Sequence, residues 1–199
     1  MKKILLIVGI VFLVWYMVDD KTIKNAPQAV STIVAFGDSL TAGYGAGGES
    51  HAYPAVLAQL TGKTVINMGR NGETAVQAPD RLAQVLAHQP QMVLIEFGAN
   101  DFMQSLSREK AVEAVASIVD AVQAAGAIAV IVDTGGPGMG AYTQSYRKLA
   151  KEKRAVFVPG ILSNVFRKRE YMSDIVHPNA RGYEIVAKQV HKAIFPYLK

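Results

Sequence analysis

From residue 31 onward, short apolar runs alternate with stretches that repeat apolar residues at helical spacing. Five runs, 32–36, 64–68, 92–97, 127–132 and 155–158, are short and rich in Val or Ile. Runs of that length without polar alternation predict strands covered on both faces. Between and after them come five helical patterns, at 53–60, 75–87, 108–125, 142–151 and 180–197. Leu82, Val85 and Leu86 share one face of the second. Val112, Val115, Val119 and Val122 recur along the third, and Ile185, Val186, Val190 and Ile194 along the last. Gly62 and Gly126 stand where helix C-terminal caps belong, and Ser107 can cap the helix that follows it. This alternation predicts an α/β protein with a mainly parallel, doubly wound sheet and helices on both faces. No internal repeat or second domain is visible, so 31–199 reads as one domain, long enough to bury a sizeable core.

The pattern ahead of residue 31 is different. Lys2-Lys3 precede an uninterrupted apolar run at 4–18, followed by Asp19-Asp20. That order of charge, apolar run and polar exit is the order of an export signal. The run is apolar on every face, which argues against an amphipathic helix of the domain itself. It is short beside the roughly 17–25 residues of a spanning helix. No small-x-small cleavage site follows, because Val14, Trp15, Tyr16 and Met17 are bulky. Residues 1–20 therefore read as a signal anchor, with a cleaved signal peptide as the alternative. Lysines ahead of the run favour an inside N-terminus. The domain is then expected on the periplasmic side of the inner membrane, joined through a polar tether at 21–30 that contains Pro27.

Composition narrows the function. Half the residues are apolar and net charge is +5, with basic residues spread along the chain. The one dense run is Arg167-Lys168-Arg169, and no basic stripe interleaved with aromatics accompanies it, so nucleic acid is not expected as a partner. A solvated face, held near anionic lipid, fits that run better. There is no cysteine, which removes disulfides, thiolate metal sites and a thiol nucleophile.

In doubly wound sheets, ligands bind beyond the carboxyl ends of the strands. Four chemistry-bearing loops fall there. Ser39 follows the first strand in Gly37-Asp38-Ser39-Leu40, and Gly72 follows the second in a turn entering a helix. Asn100 follows the third in Gly98-Ala99-Asn100-Asp101, and Asp174-Ile175-Val176-His177-Pro178 follows the fifth. A serine hydroxyl needs a base within hydrogen-bonding reach to act as nucleophile. Of the four histidines, His51, His88 and His191 lie on or beside helical stretches among polar neighbours. His177 follows Asp174 by three positions, so the carboxylate can fold onto one ring nitrogen while the other faces Ser39. Three donors are available to a developing oxyanion: the Ser39 and Gly72 backbone amides, the latter approachable for want of a Cβ, and the Asn100 side-chain amide. Each element alone has a plainer reading: a helix cap beside a surface histidine, a turn glycine, an asparagine bonding its own loop. Asp38 and Asp101 read as structural residues bonding loop amides.

These blocks, in this order, resemble an SGNH (GDSL-type) hydrolase. The resemblance is closest to the bacterial subgroup of thioesterase I, arylesterase and lysophospholipase enzymes, and spans residues 31 to about 197. It implies a flavodoxin-like three-layer α/β/α sandwich on a five-stranded parallel sheet. It also implies a Ser39–His177–Asp174 triad and an oxyanion hole of Ser39, Gly72 and Asn100. No cofactor and no metal are implied. The substrate is expected to be a small acyl ester or thioester, including lipids such as lysophospholipids, and the enzyme a monomer. One departure is Arg70, in Gly69-Arg70-Asn71-Gly72, where relatives carry small residues; it bears on substrate range. The glycine-rich loop 134–140 is expected to border the acyl site and to move.

Other readings fit less well. Gly43, Gly45 and Gly48 spell G-x-G-x-x-G, but six residues separate Phe36 from Gly43 and the second strand ends in Met68-Gly69 rather than an acid, so the dinucleotide fingerprint fails. Gly-x-Ser-x-Gly is absent, as is His-Glu-x-x-His. Two alternatives remain within this architecture. One is an esterase removing O-acetyl groups from cell-wall glycan. The other is a membrane-tethered binding protein that has lost turnover.

Overall fold

The computed structural model describes residues 22–26 and 29–199. The export segment read at 1–20 lies outside the described residues. Part of the stretch read as a tether is docked on the domain. Lys24 N donates to the Arg154 carbonyl at 2.9 Å, and Asn25 Nδ2 donates to the carbonyls of Gln123 and Ala127, each at 2.9 Å. Ile23 and Ala26 pack against the core. Among the described residues, no helix is long and apolar enough to cross a membrane.

The sheet comprises β1 (Thr32–Gly37), β2 (Thr64–Gly69), β3 (Met92–Glu96), β4 (Ile128–Val132) and β5 (Val156–Val158). All neighbours are parallel, in the order β2-β1-β3-β4-β5. The helices are α1 (Ser39–Ala42), α2 (Tyr53–Thr61), α3 (Leu82–Ala87), α4 (Ala99–Met103), α5 (Arg108–Ala124), α6 (Gly140–Lys153) and α7 (Ala180–Ile194).

Strand alternation sorts side chains into two cores. Ile33, Ala35, Met92, Leu94, Ile128 and Val130 face α2 and α7. Val34, Phe36, Val93, Ile95, Ala129 and Ile131 face α3, α5 and α6. Both faces are dry, which is why the central strands read as continuous apolar runs. The result is the expected three-layer α/β/α sandwich.

Two helical stretches are shorter as α-helices than their periodicity suggests. The pattern at 75–87 divides into a 3-10 turn at Ala78–Arg81 and then α3. Pro79 supplies no N–H, so an α-helical ladder cannot run through it. The last pattern closes its α-helix at Ile194, and Pro196 lies in a 3-10 turn, Phe195–Tyr197. Caps form where sequence placed them: Gly62 adopts φ 66° and its N–H returns to Ala58 O, and Ser107 Oγ accepts from Lys110 N at 3.2 Å. Asn179 caps α7, accepting from Gly182 N at 3.1 Å. The short helices α1 and α4 lie in stretches that sequence gave no helical period. They turn the chain directly after β1 and β3, at the carboxyl edge.

Candidate active site

β1 ends at a turn too tight for any residue but glycine. A Cβ on Gly37 would lie 2.1 Å from Thr41 Oγ1 and 2.6 Å from the Glu96 carbonyl oxygen. At the end of β2, a Cβ on Gly69 would lie 2.0 Å from Ala42 N. These close approaches wedge α1 between β2 and β3 and present Ser39 at its first turn. Asp38 caps the helix, its Oδ1 accepting from Leu40 N at 2.9 Å.

Ser39 Oγ lies 3.0 Å from His177 Nε2, and His177 Nδ1 lies 2.8 Å from Asp174 Oδ2. The structure thus brings together the three side chains that the sequence singled out. Their loop orders itself locally. Asp174 Oδ1 accepts from Val176 N and His177 N, both at 2.7 Å, and Ser173 N donates to the His177 carbonyl at 2.9 Å. Partial burial works against ionising Asp174, but the hydrogen bonds from His177 and Val176 outweigh it and hold the carboxyl below its usual range. The Tyr44 ring stands 4.6 Å from the imidazole, and Tyr183 Oη fixes Tyr44 by donating to its carbonyl at 2.8 Å. His51 and His88 are exposed and His191 lies on α7, all outside this contact chain.

Beneath Ser39 sits Glu96, a fully buried carboxyl that sequence reasoning passed over. Its signal was a lone charge ending an otherwise apolar strand. Glu96 accepts from Thr41 Oγ1 at 3.0 Å and from Thr134 Oγ1 at 3.2 Å. It also bonds the backbone and carboxyl of Asp38. Burial, then the neighbouring Glu96 charge, pushes the Asp38 carboxyl well above its usual range. Burial also raises Glu96, against the hydrogen bonds from Thr41, Asp38 and Thr134. Burial and mutual repulsion therefore both work against ionising the two acids together.

Asn100 Nδ2 donates to Asp38 Oδ2 at 3.0 Å and to the Glu73 carbonyl at 2.9 Å. Asn100 thus ties the Ser39 turn to the Gly72 loop. Gly72 stands in the turn that follows β2. A Cβ there would meet open space, but its φ of 76° lies in the left-handed region. Among the described residues, neither the Ser39 nor the Gly72 N–H donates to a protein acceptor.

The Gly72 loop has its own support, also missed from sequence. Buried Arg81 grips Glu73 with Nε to Oε1 at 2.8 Å and Nη2 to Oε2, while Nη2 also reaches the Met68 carbonyl at 3.1 Å. Its guanidinium lies 4.9 Å from the Phe36 ring centroid. Arg70, by contrast, is exposed and only loosely paired with Glu73 at 3.7 Å. Asp101 does bond a loop amide, Oδ2 accepting from Ala75 N at 2.7 Å. In the glycine-rich loop, a Cβ on Gly135 would lie 2.2 Å from Gly160 Cα, and one on Gly138 would lie 2.8 Å from the Phe102 ring. That loop is closely packed at both points.

A hydroxyl, an imidazole and a carboxylate stand in series at the carboxyl edge of a doubly wound sheet, an arrangement suited to hydrolytic acyl transfer. The sequence profile of the GDSL-like Lipase/Acylhydrolase family matches residues 35–185, and the chain belongs to that family. It is 32% identical over 178 residues to Thioesterase 1/protease 1/lysophospholipase L1 of Escherichia coli K12, covering 84% of this chain and 85% of that protein. An arylesterase of Vibrio mimicus is 28% identical over 189 residues, covering 88% and 94%. The crystal structure of TesA superposes with a TM-score of 0.79 at 25% identity, covering 84% of this chain and all of that one.

Proposed function

We propose that this protein hydrolyses acyl esters and thioesters, including lysophospholipids, through a Ser39–His177–Asp174 triad and an acyl-enzyme intermediate. The observation that carries this reading is the unbroken contact series from Ser39 Oγ through the imidazole to the Asp174 carboxylate. His177 Nε2 takes the Ser39 proton as Oγ attacks the acyl carbon. Asp174 fixes the tautomer and balances the imidazolium charge. The Ser39 and Gly72 N–H groups and the Asn100 side-chain amide receive the oxyanion, and the Asn100 bonds to Asp38 and the Glu73 carbonyl keep the donors in register. His177 then protonates the departing alcohol or thiol. In the second half, His177 activates a water that attacks the acyl-enzyme, and Ser39 leaves with its proton restored. No cofactor enters these steps.

The enzyme acts outside the cytoplasm, held to the inner membrane by its N-terminal apolar segment, and works as a monomer. The support for location is the lysine–apolar–acidic order at residues 2–20. A serine-directed fluorophosphonate tests the chemistry: it is expected to label Ser39 alone, and Ser39→Ala is expected to abolish both labelling and ester turnover. Turnover by Ser39→Ala would refute the assignment. A panel of aryl esters, long-chain thioesters, lysophospholipids and O-acetylated glycan then ranks substrates.

A further inference from the structure

We infer that a groove beside Asp174 is a subsite for a phosphate group on the leaving half of the substrate, with Arg167 and Arg169 as its anion contacts. The inference rests on the esterase reading above and names the substrate class of that site. The groove has a volume of about 740 Å³, within the range of small-molecule sites. Phe166, Met172 and Ile175 supply its apolar lining and Arg167 and Arg169 its positive charge, and it meets the active site at Asp174.

Three observations point to an anion. First, the Arg167-Lys168-Arg169 run divides. Lys168 Nζ turns aside over the Tyr171 ring, 5.8 Å from its centroid, while the two arginines line the groove. Second, neither arginine forms an ion pair with a carboxylate among the described residues. Third, Arg167 adopts φ 63°, a left-handed conformation that is strained for a residue with a side chain. Arginine forks match phosphate oxygens bidentately. The one carboxylate in the groove, Asp174, has its oxygens engaged by Val176 N, His177 N and His177 Nδ1. Two guanidinium charges outnumber it.

The polarity of the reaction fits this placement. His177 protonates the leaving atom, so the leaving half lies on the imidazole side of Ser39, where Asp174 borders the groove. The acyl carbonyl oxygen points the other way, toward the Ser39 and Gly72 amides. Ile175, 88% exposed on the loop between Asp174 and His177, offers apolar surface to the carbon skeleton joining ester and phosphate.

A phosphate of this kind occurs on a lipid headgroup or on a nucleotide-bearing thiol, and the test separates them. The probes are hexanoyl glycerol 3-phosphate against 1-hexanoylglycerol, and hexanoyl-coenzyme A against the hexanoyl thioester of N-acetylcysteamine, all below micellar concentrations. In the full chain, Arg167→Gln/Arg169→Gln is expected to lower kcat/KM for a phosphate-bearing probe by about tenfold or more, mainly through KM. The neutral partner is expected to change by less than about twofold, as for surface charges remote from the chemistry. Loss confined to the glycerol pair identifies a lipid headgroup; loss confined to the thioester pair identifies the thiol. Equal change within both pairs, or none, overturns the proposal. A calorimetric titration of Ser39→Ala with hexanoyl glycerol 3-phosphate and hexanoyl-coenzyme A, with and without the arginine substitutions, reads the groove without turnover. Binding of at least one that weakens on substitution supports the subsite even if the parent hydrolyses none of the four probes, a result that would sink only the esterase reading. Binding of both unaffected by substitution overturns the subsite.

Discussion

The loop carrying Asp174 and His177 holds itself in place with its own atoms, whereas the turn carrying Ser39 is held by residues from the ends of several strands. Asp174 is bonded by the two backbone amides that follow it and by the imidazole three residues on. Ser39 rests on Glu96 from β3, Thr134 after β4, Asn100 in α4 and the Gly72 loop after β2. The base side is half-exposed and local; the nucleophile side is buried and long-range. A buried polar network stabilises only while each member is satisfied. Substitutions on the two sides are therefore expected to separate activity from stability.

The largest expected effect falls on activity alone. His177→Ala is expected to lower kcat by about 10⁴-fold or more while leaving the thermal melt close to that of the parent. Asp174→Asn is expected to lose at least about tenfold less, because the imidazole keeps its general-base role when only its orienting partner is weakened. Steady-state rates on an aryl ester and circular-dichroism melts of the same preparations check both. Equal losses in the two variants would mean that Asp174 does more than orient. A large drop in melting temperature for His177→Ala would show that this loop is not local after all.

On the other side, Arg81→Ala is expected to cost both. The Glu73 and Arg81 side chains are 2% and 8% exposed, and removing one partner of a buried pair typically costs about 3–5 kcal/mol. The lost grip also frees the loop that aims the Gly72 N–H, so kcat is expected to fall by up to about 10²-fold. Urea unfolding and steady-state kinetics measure the two losses. Parent-like stability would mean that the loop is held by Asn100 alone.

The same contrast explains what could be read from sequence. The strands and the order of the catalytic blocks were legible because apolar runs and Asp-x-x-His are local patterns. Ser39, Asp174 and His177 stand in loops whose place on the rim follows from strand order alone. What escaped was the long-range polar network. Nothing local shows that Asp38, 62 positions away, accepts from the Asn100 amide. Glu96 and Arg81 carry no local sign of their partners. Only the fold makes one face Asp38 and the other face Glu73. Gly72 also takes a left-handed φ, which cannot be read from a sequence.

A subtler test of the nucleophile side uses pH. In the unfolded chain, Asp38 and Glu96 titrate near pH 4; in the folded protein burial raises both. A folded pKa above the unfolded one gives a stability contribution that is full below about pH 4 and is lost as pH rises through the raised value. Each proton retained only by the folded state costs at most about 1.4 kcal/mol per pH unit. Asp174 works in the opposite sense, since its lowered pKa adds stability above about pH 4 that disappears on acidification. Glu96→Gln removes one buried acid while keeping an oxygen to accept from Thr41 or Thr134, and it frees Asp38 from the charge beside it. Urea midpoints taken from pH 4 to pH 8 are expected to decline less steeply with rising pH in the variant than in the parent. Parallel slopes would mean that the two carboxyls do not share a proton, and that the serine turn is held by hydrogen bonds that pH leaves untouched.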